Sequence, residues 1–291
     1  VPFCQLCALP HMMRLLFSAI LCICPVIAHG AQQRGLSRAA PLEGTCSPAV
    51  QQEAVRSIPF DKLTPEGRAK ANAVLSSVTL FRRMPVRVID CDPDLYLFLV
   101  RHPDVVVNIW EVLKISQLQL RQIGPNQYRL VEPEGTTVNF EYLYRSHDTH
   151  IVYAEGAYTG RLLQREVKAK GLLVLKTGYV RETDGRYYIT NRLDAFLSVE
   201  PGAVELVTKT FQPLLVKVGD NNFTQSVAFL GSLSQTAEVN SRAVQNLAGK
   251  LTGVQPELRK KLAELAENIA ARSKTAAVPA SAVLPLLAGG D

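Results

Sequence analysis

Between Ile115 and Val199 the chain is written in short runs of β-favouring residues, "TVNFEYLY", "HIVYAEGAY", "GLLVLKTGYV" and "RYYITNRL", separated by the turn signals "GPN", "EPEG", "SHD" and "TDG". Alternation with a period of two places successive side chains on opposite faces of a sheet. Turns this short join antiparallel neighbours, so the segment reads as a meander. The spacing predicts six strands, over 116–123, 127–132, 136–145, 149–158, 168–181 and 186–199. In the third, Val138, Phe140, Tyr142 and Tyr144 fall on one face and Thr137, Asn139 and Glu141 on the other, the pattern of a sheet covered on one side.

On either side of the meander the period changes. In "LTPEGRAKANAVLSSVTLFRR", Thr64 can cap and Pro65 sits where a missing N–H costs nothing. Ala71, Val74, Leu75, Val78 and Phe81 then recur at helical spacing, which predicts one helix over 65–83. A short strand over 86–89 follows, then two proline-initiated starts, "CDPDLYLFLV" and "RHPDVVVNIW". In the second, Val106, Ile109, Trp110 and Leu113 share one side while Asp104, Asn108 and Glu111 share the other. Pro103 then occupies a first helical turn, Asp104 complements the positive end of the dipole, and His102 is the corner between two short helices. No nucleophile accompanies His102 in the sequence, so a capping or packing role outweighs a catalytic one. Beyond the meander, Val204, Val207, Phe211, Leu214, Leu215 and Val218 form a helical stripe with a kink expected at Pro213. A second helix is expected from Asp220, carrying Phe223, Val227 and Leu230, with further helices over 241–251 and 256–272 and a disordered tail from 273 to 291.

The order of strand, two short helices, six antiparallel strands and long helix resembles the START-like or helix-grip superfamily. The likeness covers about residues 84–235 and rests on "VRVIDCDPDLYLFLVRHPDVVVNIWEVL", the meander and "FTQSVAFLGSLS". It is one of topology, with no motif and no residue that carries over by position. The resemblance implies an α+β fold, a six- to seven-stranded curved antiparallel sheet wrapped around a long carboxy-terminal helix, with an apolar ligand enclosed between them. The helix at 65–83 and those after 240 depart from the minimal pattern. On this division 1–30 is a leader with upstream residues, 31–57 a linker, 58–83 an amino-terminal helix, 84–240 the START-like domain and 241–272 a helical extension.

The leader is read from "MMRLLFSAILCICPVIAHGAQQ", with a positive charge at Arg14, an apolar run from Leu15 to Ala28 and small residues Ala28 and Gly30 before a cleavage site. The run is short for a bilayer span and broken by Pro25, so export with cleavage near Gly30 is expected, to a periplasmic or secreted location. Cleavage leaves two of the six cysteines, Cys46 and Cys91. A disulfide between them and two free thiols both fit an oxidising compartment. The 32 basic and 26 acidic residues give +6, but the basic ones are scattered, which argues against nucleic acid and leaves a weak attraction to anionic membrane surfaces.

Catalytic signatures are missing from the sequence: no phosphate-cradling glycine loop, no HExxH, no nucleophile elbow, and no CxxC after the leader. No cofactor is implied. In "SHDTH", His147, Asp148 and His150 supply zinc-ligand types, but polar residues between strands read first as a solvated turn. Glu141, Glu155 and Lys176 interrupt strand patterns, either as polar anchors in a cavity or on the wet side. Aromatic rings with polar tips suit a pocket wall as well as a core, so Trp110, Phe140, Tyr142, Tyr144, Tyr153, Tyr179 and Phe211 are the candidate ligand-binding residues. Three readings follow: an exported protein that binds a lipid or other hydrophobic small molecule, an envelope interaction protein whose interior is packed solid, and, less favoured, a cyclase- or hydrolase-type enzyme using His102, Glu141 or Glu155.

Overall fold

The computed structural model describes residues 43–133, 135–159 and 166–276. The expected leader and most of the expected tail lie outside them. One eight-stranded antiparallel sheet runs through the molecule. Its strands are β1 (Leu80–Arg83), β2 (Arg87–Asp90), β3 (Gln119–Gly124), β4 (Gln127–Glu132), β5 (Thr136–Arg145), β6 (Thr149–Tyr158), β7 (Val167–Arg181) and β8 (Tyr187–Val199). The order is β1-β8-β7-β6-β5-β4-β3, with β2 pairing β8 beyond β1. The helices are α1 (Pro48–Arg56), α2 (Pro65–Leu75), α3 (Pro93–Arg101), α4 (Pro103–Val112), α5 (Gln212–Val239), α6 (Ser241–Lys250) and α7 (Pro256–Ala276). With α5 against one face of the meander and α3 and α4 ahead of it, the architecture is that of a helix-grip fold.

Each face of the sheet has its own core. Against the concave face, α3 to α7 bury Leu95, Leu99, Ile109, Trp110, Phe223, Val227 and Leu230 with Tyr128, Leu130 and Val138. Against the convex face, α1 and α2 bury Ala54, Ala71 and Val74 with Ile151, Leu172, Val174 and Phe196. This second core corrects two expectations. The helix from Pro65 ends at Leu75, and Leu80–Arg83 pair with β8 instead. Leu80 belongs to the concave core and Phe81 to the convex one, so consecutive apolar residues are both buried in a strand, which a one-sided helix cannot arrange. Residues 48–56, expected within a linker, form α1, which is tied to the sheet by Arg83. That side chain reaches Glu53 at 3.1 Å and grips the fully buried Asp194 through Nε at 2.6 Å and Nη2 at 3.1 Å.

The proline starts behave as their chemistry dictates. Asp92 Oδ1 accepts from the backbone N–H groups of Asp94 and Leu95 at 3.0 and 3.1 Å, ahead of Pro93. His102 is the shared end residue of α3 and α4, its ring 5.0 Å from that of Phe98. The polar side of α4 is not solvated, however. Asp104 and Asn108 are buried; the turn between α6 and α7 closes over Asn108, whose Oδ1 accepts from Gly253 N at 3.2 Å. The expected kink at Pro213 is replaced by a π-wound turn, Leu206–Phe211, that passes into an unbroken α5. The change of winding accommodates the N–H that proline lacks. Where α5 crosses β2, Gly231 lets the backbones approach: a Cβ there would stand 3.3 Å from Ile89 Cβ.

Candidate functional site

The concave interior is a wedge, and the wedge is written in side-chain size. Along β5 its inward file is Thr136, Val138, Phe140 and Tyr142; along β6, read in the same direction, it is Tyr158, Gly156, Ala154, Val152 and His150, so that behind Tyr158 the side chains grow from glycine to histidine. At the wide end the small residues Ala154, Gly156, Ala157 and Ala169 leave an apolar cleft of about 40 Å³. Its other walls include Val138, Val167, Leu197, Val207 and Leu215, so the π-wound turn and the start of α5 form one side. Its one polar side chain besides Tyr158 is Thr136, whose hydroxyl donates to Glu132 at 2.8 Å.

The centre of the wedge is filled. Trp110 packs edge-on against Phe229 at 5.7 Å, and Tyr128 stacks on Phe140 at 5.2 Å. Tyr96 is fully buried, its hydroxyl bonded to Asn191 and 3.2 Å from that of Thr177. Burial pushes the Tyr128 phenol up to about 12.

The narrow end is cationic. The rings of Tyr142 and His150 are 6.3 Å apart, and the Arg145 guanidinium lies 4.9 Å over Tyr142. The Tyr142 hydroxyl donates to Val100 O at 2.6 Å, and Arg145 Nη1 donates to Arg101 O at 3.2 Å, which docks the end of α3 onto β5. His150 is 1 % exposed and neither ring nitrogen has a partner among the described residues; the same is true of Arg101 Nε. Burial first, then the charges of Arg101 and Arg145, lowers the His150 imidazole to about 4. His102 is lowered by burial and by Arg145 and Arg101. Burial raises the Asp104 carboxyl.

The candidate residues therefore divide. Trp110, Phe140, Tyr142 and Tyr179 lie on the concave side, Tyr179 4.2 Å from the His147 ring. Tyr144 and Tyr153 belong to the convex core, away from α5. For Tyr144 the cause is a bulge in β5: Tyr142 pairs with Val152 but Tyr144 with Ile151, so Leu143 is an extra residue and the faces exchange. The Phe211 side chain lies outside the described residues. Cys46 and Cys91 are free. Cys46 Sγ is 3.7 Å from Arg82 Nη1, whereas Cys91 is buried against α5 with Sγ 3.8 Å from Leu230 O, and burial raises its thiol.

The remaining polar candidates also separate. Glu141 pairs with Lys70 of α2, and Glu155 accepts from the Tyr153 hydroxyl at 3.0 Å; both lie on the convex side. Lys176 donates to Thr149 Oγ1 at 3.2 Å, and burial lowers its ammonium. Of "SHDTH", only His147 and Asp148 are in a solvated turn, Asp148 accepting from Ser146 Oγ at 2.7 Å. His150 belongs to β6 and is buried, so the three do not converge. Among the described residues no group of three or more His, Cys, Asp or Glu is placed to hold a metal ion. Nor is any helix among them long and apolar enough to cross a membrane. A second, open groove of about 730 Å³ crosses the convex face, with Ser77, Arg129, Asn139, Lys168 and Lys170 among its walls.

No protein-family model matches the chain, and no curated protein matches it either. Among solved structures, a conserved protein from Geobacillus kaustophilus is similar at 13 % identity and TM-score 0.36, over 52 % of this chain and 93 % of that one. Truncated norcoclaurine synthase from Thalictrum flavum is similar at 13 % and 0.28, over 50 % and 94 %. The di-domain ARO/CYC BexL is similar at 14 % and 0.28, over 72 % and 61 %. Likeness this distant carries nothing about what the chain binds, and the helix-grip architecture stands on its own strand order and helix placement.

Proposed function

We propose that the protein is exported and holds a slender apolar molecule, a lipid chain or other hydrophobic small molecule, at the wide end of the wedge. The observation that carries this reading is the apolar cleft bounded by small residues of β6 and β7 and by the π-wound turn before α5. At about 40 Å³ it has room for a methyl group or two. Ligand pockets run to roughly 300–1,000 Å³. Occupancy therefore requires the segment around Val207 to Leu215 to swing off the sheet ends, and irregular winding there makes it the least costly part of the helix to move.

A second reading is favoured by the filled centre. Trp110, Tyr128, Phe140 and Phe229 occupy the space in which a helix-grip ligand would lie, which suits an interaction protein with a solid interior. Native mass spectrometry of protein purified from its own envelope fraction, followed by organic extraction, separates the two. The ligand reading expects a co-purifying apolar compound that is lost when Ala169→Phe fills the cleft. Protein that emerges bare, and that takes up no fluorescent fatty acid, overturns it in favour of the second. Export is tested on the same sample: the mature chain should begin near Ala31.

A further inference from the structure

The narrow end of the wedge has an unbalanced inventory. Arg101 and Arg145 are half-buried, yet neither forms an ion pair among the described residues; Arg101 donates to Ser146 O at 3.4 Å, and Arg145 to Arg101 O and Asn126. Beneath them His150 is a cross-strand partner of Arg145, almost wholly buried, with neither nitrogen bonded. The nearby acids do not supply the missing charge. Asp148 is exposed and engaged by Ser146, and Asp104 is held by its burial towards its neutral form. His102, His147 and Lys176 add no negative charge, and burial raises the Tyr128 and Tyr179 phenols, which stay neutral. Two half-buried guanidinium groups with no counter-charge and a buried imidazole with no partner, gathered at one place, are uncompensated unless an acceptor that carries negative charge meets them.

We infer that this end of the interior, where Arg101, Arg145 and His150 meet the Tyr142 ring, is a binding site for an oxyanion, a carboxylate or phosphate group. It is independent of the apolar cleft, which lies at the other end of β5 and β6. The anion accepts from the guanidinium N–H groups and from one His150 nitrogen, and its charge favours the imidazolium. Binding by His150 is therefore expected to tighten as pH falls towards the free imidazole's value of about 4.

The test is histidine-detected NMR on the exported chain labelled at its imidazole carbons, with His102→Gln and His147→Gln used to assign the His150 signal. The probes are inorganic phosphate, propionate and dodecyl phosphate below its micelle concentration. A saturable shift of the His150 signal, with affinity reduced about tenfold or more in Arg101→Gln or Arg145→Gln, is the expected result. Equal affinities for phosphate and dodecyl phosphate identify a free oxyanion as the guest, and a large preference for the dodecyl ester identifies an amphiphile's head group. A His150 signal that none of the three probes moves overturns the site, and so does a shift that survives intact in both folded arginine variants. Should the arginine variants fail to fold, the wild-type titration decides alone: a His150 signal that none of the three probes moves at pH 5.5 overturns it.

Discussion

The two ends of the concave face are built by the same two strands and differ in almost every other respect. At the start of β5 and the end of β6, Val138, Ala154 and Gly156 leave an apolar gap under the π-wound turn. Four to six residues along the same strands, Tyr142 and His150 close the interior beneath Arg101 and Arg145. Strand pairing fixes the backbone of both ends alike, so what separates them is the graded size and polarity of one inward file on each strand. A sheet of this kind can carry an apolar site and a charged one without any change of fold.

Four perturbations break or sharpen that contrast. Trp110→Ala removes the largest side chain from the filled centre, where the residue is 3 % exposed. A loss of about 3–5 kcal/mol in urea unfolding is expected, followed by circular dichroism because the chain's one tryptophan has gone. A loss below ~1 kcal/mol would mean that the centre is not packed and that the ends are not separated.

Acid probes the narrow end. The His150 imidazole titrates near 4 when folded, and its ordinary value is near 6.5. Between those values the unfolded chain binds the extra proton, so stability rises with pH and is lost as pH falls from 6.5 towards 4, by about 3 kcal/mol at most. Asp104 acts in the opposite sense, its raised carboxyl favouring the folded state on acidification. The His150 share is therefore the difference between wild-type and His150→Phe unfolding curves across that window, and parallel curves would remove it.

At the wide end, Gly156→Ala places a methyl 2.5 Å from Thr137 O and 2.7 Å from Val138 Cγ2. A cost of about 1–3 kcal/mol is expected in thermal unfolding, together with loss of apolar-probe binding. The smallest effect belongs to the exposed Arg272, which bonds Asp92 at 2.5 Å and Asp94 at 3.3 Å. Arg272→Ala should cost under ~1 kcal/mol and show as faster amide exchange along α7, with both ends of the wedge unchanged.

The sheet was legible because its turns are explicit: the turn signals "GPN", "SHD" and "TDG" sit between the strand runs, and five of the six expected strands differ from the observed ones by no more than one residue at either end. Asp92, Pro93 and Pro103 announced α3 and α4 equally well. What stayed hidden was whatever depends on a partner far away in the chain. Val78 and Phe81 continue a helical stripe, and only pairing with β8 makes the second of them a strand residue. In α1 only Ala54 is buried, too weak a signal to mark a helix before Arg83 and the convex core are known. One extra residue at Leu143 turned Tyr144 away from the interior, and alternation alone cannot foresee a bulge. Of the candidate aromatics, Trp110, Phe140, Tyr142 and Tyr179 lie on the concave face, whereas Arg101, Arg145 and His150 were not seen as a group. They come from α3, β5 and β6, and His150 looked like part of a turn because its buried side depends on register.

The clamp between Arg272 and the cap of α3 joins residues 180 positions apart. During synthesis, at roughly 5–20 residues per second, Asp92 waits on the order of 10–35 s for that partner to be made. Over that interval the outer side of α3 and the polar side of α4 have no lid, so the nascent protein shows its surroundings a surface that the finished one conceals. Any chaperone or export factor that reads this chain in its unfinished state has that interval in which to do so.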